Sequence, residues 1–155
     1  AISLAHRLIE ATVFAMDVSA DALQIAKYNA DANHVKVNFI LDDILQFAPL
    51  AKYDIIVSNP PYVRYSEKSE IRSNVLDNEP HLALFVADDD PLLFYRRIAE
   101  LAVDSLNENG ALFFEINQYL AAETISLLTS LGYRSELRKD MYGNDRMVKA
   151  MLHHS

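Results

Sequence analysis

The sequence contains no cysteine, no tryptophan and only three glycines among its 155 residues. Without cysteine the chain can form no disulfide bond, no thiolate metal site and no cysteine nucleophile, which is compatible with a reducing compartment. Basic residues are also scarce, because 14 lysines and arginines face 22 acidic residues and leave a net charge of -8. Such a balance repels phosphate backbones, so broad electrostatic binding of nucleic acid is unfavourable.

Long apolar runs are missing as well. The run 111–114 is typical of those present, and it has the length of a strand, far below the roughly 20 residues that a membrane span needs. No basic segment followed by an apolar leader begins at Ala1. We therefore expect a soluble, cytoplasmic protein that does not contact membranes.

Short β-rich runs alternate with longer helical runs, which is typical of an α/β sheet with covering helices. Strands are predicted at residues 12–16, 35–41, 53–58 and 111–116, with an antiparallel pair at 133–138 and 146–152. Ser19 and Asp90 are predicted helix N-caps, and Gly110 and Gly132 are predicted to end helices. No linker interrupts the pattern, so one domain is expected.

Acidic residues follow two of the predicted strands, where ligands of open α/β sheets bind. Asp17 ends the first strand, and a carboxylate there can accept hydrogen bonds from both hydroxyls of a ribose, although a helix-capping role explains it equally well. Asp42 and Asp43 end the second strand. One of these acids can accept from an adenine amine while the Ile44 N–H faces a ring nitrogen, and a solvated turn is the equal alternative.

The motif Asn59-Pro60-Pro61-Tyr62 follows the third predicted strand. Both prolines fix φ at about -65°, and the residue before each proline is pushed toward extended backbone, so the loop is stiff before anything binds. The Asn59 amide oxygen and the Pro60 carbonyl can accept both N–H bonds of a planar NH2 group, while the Tyr62 ring covers its flat face. A plain surface turn is the competing interpretation, and the bracketing Asn and Tyr favour the functional one.

At this motif the sequence resembles the S-adenosylmethionine-dependent methyltransferases that modify planar amino groups, whose hallmark is such a loop after the fourth strand. Further matches resemble the release-factor glutamine methyltransferases in particular. They lie at 15–19, Ala22-Leu23, Ala26, Asn29-Ala30, Asp43, 56–63, Glu79-Pro80, Ala83-Leu84 and 140–146. The resemblance covers nearly the whole chain from Ala15 onward.

This resemblance implies a Rossmann-like class I methyltransferase sheet with helices on both faces, in one catalytic domain over residues 1–155. It implies S-adenosylmethionine as cofactor and, as methyl acceptor, a glutamine side-chain amide in the Gly-Gly-Gln loop of a peptide-chain release factor. The implied site residues are Asn59 and Pro60 as catalytic amide acceptors, Tyr62 as the packing face, Pro61 in the same substrate-binding loop, and Asp17, Asp43, Ile44 and Asn59 on the cofactor.

One element of that family is missing from the sequence. Family members carry a glycine-rich loop after their first strand, whereas the glycines here are Gly110, Gly132 and Gly143, all too late in the chain. We therefore expect the first strand, its loop and a small helical domain to lie upstream of Ala1. A sheet without its central strand leaves two strand edges unpaired, so this chain alone is expected to bind cofactor poorly and to be weakly active or inactive.

Two other functions fit the same residues. An adenine amine offers the same pair of N–H bonds, so a nucleic-acid methyltransferase is possible on chemistry, but it needs cations that are represented near the motif only by Arg64, Lys68 and Arg72. A catalytically inactive binding module is the second alternative. No metal site is expected, because the acidic run 88–90 is typical of a solvated helix cap.

Overall fold

A computed structural model describes residues 1–49, 51–70 and 84–153, with the side chains of 69 and 70 left aside. The chain divides into two compact units, Ala1–Phe47 and Ala48–Ser155. Each unit has its own strand pairing, and each is described by itself below.

The first unit contains two helices and a pair of parallel strands. Its elements are α1 (Ile2–Arg7), β1 (Phe14–Asp17), α2 (Ala20–Ala32) and β2 (Asn38–Leu41). The strands pair from Phe14 opposite Asn38 to Asp17 opposite Leu41. As predicted, Ser19 caps α2, because its hydroxyl accepts a hydrogen bond from the Ala22 N–H at 3.2 Å. The second strand begins at Asn38 rather than at Val35.

The second unit is built on a four-stranded mixed sheet. Its elements are β3 (Tyr53–Ser58), β4 (Val63–Arg64), a 3-10 helix (Tyr65–Glu70), β5 (Phe85–Val86), α3 (Leu93–Ser105), β6 (Leu106–Glu115), a 3-10 turn (Gln118–Leu120), α4 (Ala121–Ser130), β7 (Tyr133–Lys139) and β8 (Asp145–Leu152). The strand order is β3-β6-β8-β7, in which β3 and β6 are parallel and the other pairs are antiparallel. The predicted terminal antiparallel pair is thereby confirmed.

The core of this second unit lies between the sheet and helices α3 and α4. Tyr95, Ile98, Ala99 and Ala102 are buried on α3, a spacing that places them on one helix face. Helix α3 packs on β6, and α4 packs on β7 and β8. Fully buried side chains such as Leu112 complete this core, which fixes the carboxyl end of β6 where the polar residues described below begin.

Two predicted boundaries of α3 are wrong. The N-cap is Leu92, without a side-chain cap, because the Asp90 carboxylate instead accepts two hydrogen bonds of 2.9 Å from the Arg96 guanidinium. The helix ends at Ser105, and Gly110 lies inside β6. A Cβ at Gly110 would stand 2.9 Å from the Asn107 carbonyl oxygen, so the glycine serves a close backbone approach rather than a helix end.

Two of the strands expose apolar side chains. Ile55 and Val57, two positions apart on β3, expose 49% and 58% of their surface, and Phe14 on β1 is exposed as well. Among the described residues, β1 pairs with β2 alone and β3 with β6 alone. Each of these strands therefore has a single strand neighbour in the part of the chain that the structure describes.

Candidate active site

The Asn-Pro-Pro-Tyr loop leaves the carboxyl end of β3 beside the carboxyl end of β6. Ser58, the last residue of β3, is in register with Phe114, and the two strands run in parallel. Their ends therefore meet at one edge of the sheet, where Glu115 ends β6 and Asn117 follows. This topology brings polar side chains from after β6 against the loop from after β3.

Tyr62 is anchored by its hydroxyl. The phenolic O–H donates to Oε1 of Glu115 at 2.7 Å. Burial, with the hydrogen bond to the Glu115 carboxylate, raises the pKa of Tyr62 to about 12. The phenol is therefore neutral at physiological pH and cannot serve as a base there.

Tyr62 is also held by its backbone. Nδ2 of the buried Asn117 donates to the Tyr62 carbonyl at 3.0 Å and to Oε2 of Glu67 at 3.0 Å. Oδ1 of Asn117 accepts from the Tyr119 N–H at 2.9 Å. Every polar atom of the Asn117 amide is thus used, and the loop is tied to the segment after β6.

Glu67 binds both Asn117 and Arg64, the residue two positions after Tyr62. Its carboxylate accepts from the Arg64 N–H at 2.9 Å and from Arg64 Nη2 at 2.7 Å. Burial opposes ionisation, but the hydrogen bonds from Arg64 and Asn117 prevail and hold the pKa of Glu67 below its usual range. Tyr62, Arg64, Glu67 and Asn117, together with Glu115, form what we call the loop clamp.

Tyr95, on helix α3, binds the backbone of two clamp residues. Its hydroxyl donates to the Glu115 carbonyl and accepts from the Asn117 N–H, both at 3.2 Å. Burial raises its pKa, so the group stays a neutral donor and acceptor. Its ring packs edge-to-face on Phe114 with centroids 5.2 Å apart.

The two predicted amide acceptors lie at the start of the loop. Asn59 is exposed and Pro60 is buried. Within the described part of the chain, neither the Asn59 side-chain oxygen nor the Pro60 carbonyl accepts a hydrogen bond. The residue Tyr62 after them is held by the hydrogen bonds of the clamp.

The predicted cofactor acids lie in the first unit. Asp17 ends β1, and its Oδ1 accepts from the Ser19 N–H at 2.8 Å. A cavity of about 320 Å³ borders Asp17, Met16 and the first residues of α1. One oxygen of Asp17 is thus bound to the backbone N–H of Ser19, the residue that caps α2, and the cavity lies beside the same carboxylate.

Asp43 and Ile44 lie in a turn after β2. The Asp43 carboxylate accepts from the Leu45 N–H at 2.9 Å and from Gln46 Nε2 at 3.4 Å, and Ile44 is half-buried. Asp42 accepts from the Asp43 N–H at 2.8 Å. These bonds build the solvated turn that the sequence left as an alternative to adenine binding.

Several sequence features lie elsewhere. Arg72, Glu79, Pro80 and Ala83 are outside the described residues. Within the described residues, no group of three His, Cys, Asp or Glu side chains is arranged to hold a metal ion. In the same ranges, no helix has the length and apolar character that crossing a membrane requires.

Sequence reasoning missed the clamp, though part of it was accessible. Glu115 ends β6 and Asn117 follows it, and this carboxyl-end position is the one that singled out Asp17, Asp43 and Asn59 on the other parallel strands. Glu67 carried no such signal, because its role depends on a contact 50 residues away along the chain.

Comparisons with known proteins identify the family of this chain. A profile of the methyltransferase small domain matches residues 1–83. The release factor glutamine methyltransferase of Flavobacterium psychrophilum is 58% identical over 151 residues, which are 96% of this chain and 53% of that protein. The enzyme of the same name from Bacteroides thetaiotaomicron is 47% identical over 153 residues, 97% of this chain and 55% of that protein. The chain thus spans about half the length of the curated relatives it matches.

A solved structure confirms the predicted fold class. Magnesium protoporphyrin IX methyltransferase from Synechocystis PCC 6803, crystallised with S-adenosylhomocysteine, aligns with a TM-score of 0.60 at 15% identity, over 98% of this chain and 68% of that one. At this identity the likeness concerns the fold, which is the α/β fold of that methyltransferase.

Proposed function

The chain belongs to the methyltransferase small domain family, and from this premise we propose that it transfers a methyl group from S-adenosylmethionine to the side-chain amide nitrogen of a glutamine in a peptide-chain release factor. The observation that carries the proposal is the pair of acceptors at the start of a stiff loop, the Asn59 amide oxygen and the Pro60 carbonyl. The names of the relatives at 58% and 47% identity support the choice of substrate.

The proposed role of the loop is to grip the amide NH2. Asn59 and Pro60 accept its two N–H bonds, which orients the nitrogen toward the incoming methyl group. Replacing a diffusive encounter by such a fixed geometry can contribute roughly 7 kcal/mol. Pro61 stiffens the loop, and the Tyr62 ring, held at its hydroxyl and its backbone, covers the flat face of the amide.

The loop supplies no base, and this reaction needs none beforehand. Tyr62 is neutral, with a pKa of about 12, and the Glu115 carboxylate already accepts the Tyr62 proton in a hydrogen bond. The amide nitrogen would gain the methyl group as the carbon–sulfur bond of the donor breaks, and it would then lose its extra proton to solvent water. Asn59 and Pro60 polarise the N–H bonds and so assist this release.

We propose that the first unit holds the cofactor. When bound, S-adenosylmethionine supplies an electrophilic methyl group on a sulfonium. Asp17 has one carboxylate oxygen fixed by Ser19 and lies beside the cavity, so it is suited to accept from ribose hydroxyls. Asp43, with Ile44, is the proposed adenine-side pair.

The experiment is a methyl-transfer assay on the full-length protein that contains this chain. It is incubated with methyl-labelled S-adenosylmethionine and, in separate reactions, with a purified release factor or with duplex DNA. We expect label on the release factor, on one glutamine by mass spectrometry, and none on DNA. Label on DNA alone favours an adenine-type nucleic-acid methyltransferase, and label on neither favours an inactive binding module. Acting on a translation factor, the enzyme is placed by this proposal in the cytoplasm.

A further inference from the structure

The hairpin between β7 and β8 ends in two large apolar side chains in solvent. Met141 exposes 89% and Tyr142 exposes 81% of its surface, more than the other apolar side chains at this end of the sheet. Exposed apolar groups that cluster are a sign of an interaction site. Because both side chains are so exposed, they do not contribute to packing of the hairpin.

The tip is rigid although it is exposed. Oδ1 of Asp140 accepts from the Tyr142 N–H at 2.8 Å and from the Asn144 N–H at 2.9 Å. Gly143 has a φ of +87°, a conformation that favours glycine, and Lys139 Nζ donates to its carbonyl at 3.1 Å. The backbone that carries Met141 and Tyr142 is therefore held in one conformation, so binding costs less backbone entropy.

The tip lies on the same edge of the sheet as the Asn-Pro-Pro-Tyr loop. Glu115 at the end of β6 is in register with Met147 near the start of β8, and the Ile116 N–H donates to the Arg146 carbonyl at 2.9 Å. In the order β3-β6-β8-β7, the hairpin is two to three strand spacings from β3, or about 10–14 Å. A protein whose glutamine reaches Asn59 has its flanking residues within this distance.

The charges around the tip point to a peptide rather than a nucleic acid. The neighbouring charged side chains pair with one another: Arg138 with Glu136, Lys139 with Asp145, and Arg146 with Asp140. Each pair is neutral, so the rim of the tip offers no excess of cations for phosphates. Two side chains of roughly 200 Å² each are also too small to hold a second copy of this chain, since a stable interface buries about 800 Å² per partner.

We infer that Met141 and Tyr142 form a docking point for the protein substrate, contacting residues that flank the methylated glutamine. This inference rests on the proposed function and adds to it a second contact of the substrate, outside the amide-gripping loop. The occupant is a neutral or apolar stretch of the substrate chain. The contact supports binding of an intact protein and has no part in the chemistry.

The test compares two substrates on the full-length protein carrying Met141→Ala and Tyr142→Ala together. One is an intact release factor, and the other is a five-residue peptide centred on its glutamine, whose flanks extend only about 7 Å to each side. We expect KM for the intact protein to rise about tenfold, the effect of one lost interface anchor, with kcat unchanged. KM for the short peptide should stay as in the wild type.

Tyr28→Ala is the matched control, because Tyr28 on α2 is 74% exposed and belongs to the other unit. It should change neither KM. An unchanged KM for the intact protein in the double variant would overturn the docking point, as would an equal rise in KM for both substrates. Failure of the wild type to methylate the release factor is a different result, since it refutes the proposed function itself.

Discussion

Tyr62 is held by two other residues of the loop clamp. Its hydroxyl binds Glu115 and its carbonyl binds Asn117. Two residues at the carboxyl end of β6, separated by one position, therefore hold the ring in place. The sequence identified Tyr62 as the packing face through its place in the motif. What the sequence did not provide is the reason the ring stays in place.

Removal of the Tyr62 hydroxyl should cost stability more than activity. In Tyr62→Phe the ring remains to cover the amide, so kcat should fall by less than about tenfold, whereas the free energy of unfolding should drop by about 1–2 kcal/mol because Glu115 loses its partner. Chemical denaturation and steady-state kinetics measure the two effects. A collapse of kcat with unchanged stability would show that the hydroxyl takes part in the chemistry.

The same residue predicts a pH dependence. The folded pKa of about 12 lies above the ordinary value of 10.0, so the folded protein keeps a proton that the unfolded chain releases. The stabilisation is fully present below pH 10 and is lost as the pH rises toward 12. Unfolding free energies measured across that range should fall more steeply in the wild type than in Tyr62→Phe, and parallel curves would contradict the assignment.

At the scale of elements, Asn117 links the loop after β3 to the segment after β6. We expect Asn117→Ala to lower the free energy of unfolding by about 1–3 kcal/mol, since the buried Glu67 carboxylate and the Tyr62 carbonyl each lose a donor. Because the loop is then held less firmly, kcat should fall while the Kd for cofactor stays constant. Thermal denaturation, kinetics and calorimetric titration of S-adenosylmethionine test these three expectations.

A matched change separates this role from a general effect of truncation. Asn107 donates its amide to Asp54 at 2.8 Å on the surface, away from the loop. Asn107→Ala should leave kcat unaltered and change stability by less than about 0.5 kcal/mol. Equal losses of kcat in the two variants would argue that Asn117 has no particular relation to the loop.

Local signals predicted many elements, and long-range contacts account for those that they missed. The Ser19 cap, the extent of β3 and the β7–β8 pair follow from patterns within a few residues, and the structure confirms them. The predicted end of α3 was wrong, because a glycine that allows two backbone segments to approach closely looks the same in the sequence as a glycine that ends a helix. Gly110 meets the Asp54 carbonyl of another strand, which no local pattern reveals.

At the scale of the whole molecule, strands β1 and β3 expose apolar side chains that can promote association. Ile55 and Val57 are exposed on a strand that has one strand neighbour among the described residues. Apolar edge strands of this kind favour association. The alternation of strands and helices along the sequence predicted the fold class correctly. The exposure of a strand depends on which elements pack around it, and the alternation pattern does not contain that information.

We therefore expect the 155-residue polypeptide to self-associate. Val57→Lys on β3 should shift it toward monomer, because a charge on an exposed strand opposes stacking of apolar faces. Val103→Lys, at an exposed position of α3, is the control and should not. Size-exclusion chromatography with light scattering measures the oligomeric state, and a wild-type polypeptide that remains monomeric at every concentration refutes the expectation.

The central claim is that Asn59 and Pro60 hold the amide of the substrate and leave cofactor binding largely to other residues. The most direct measurement compares kcat with the cofactor Kd in Asn59→Ala, using the full-length protein and a release factor. The account predicts that kcat falls by at least about 100-fold, the scale seen when one oriented polar group of an active site is removed, while the Kd for S-adenosylmethionine changes little. Equal losses in kcat and in cofactor affinity, or an unchanged kcat, would contradict it.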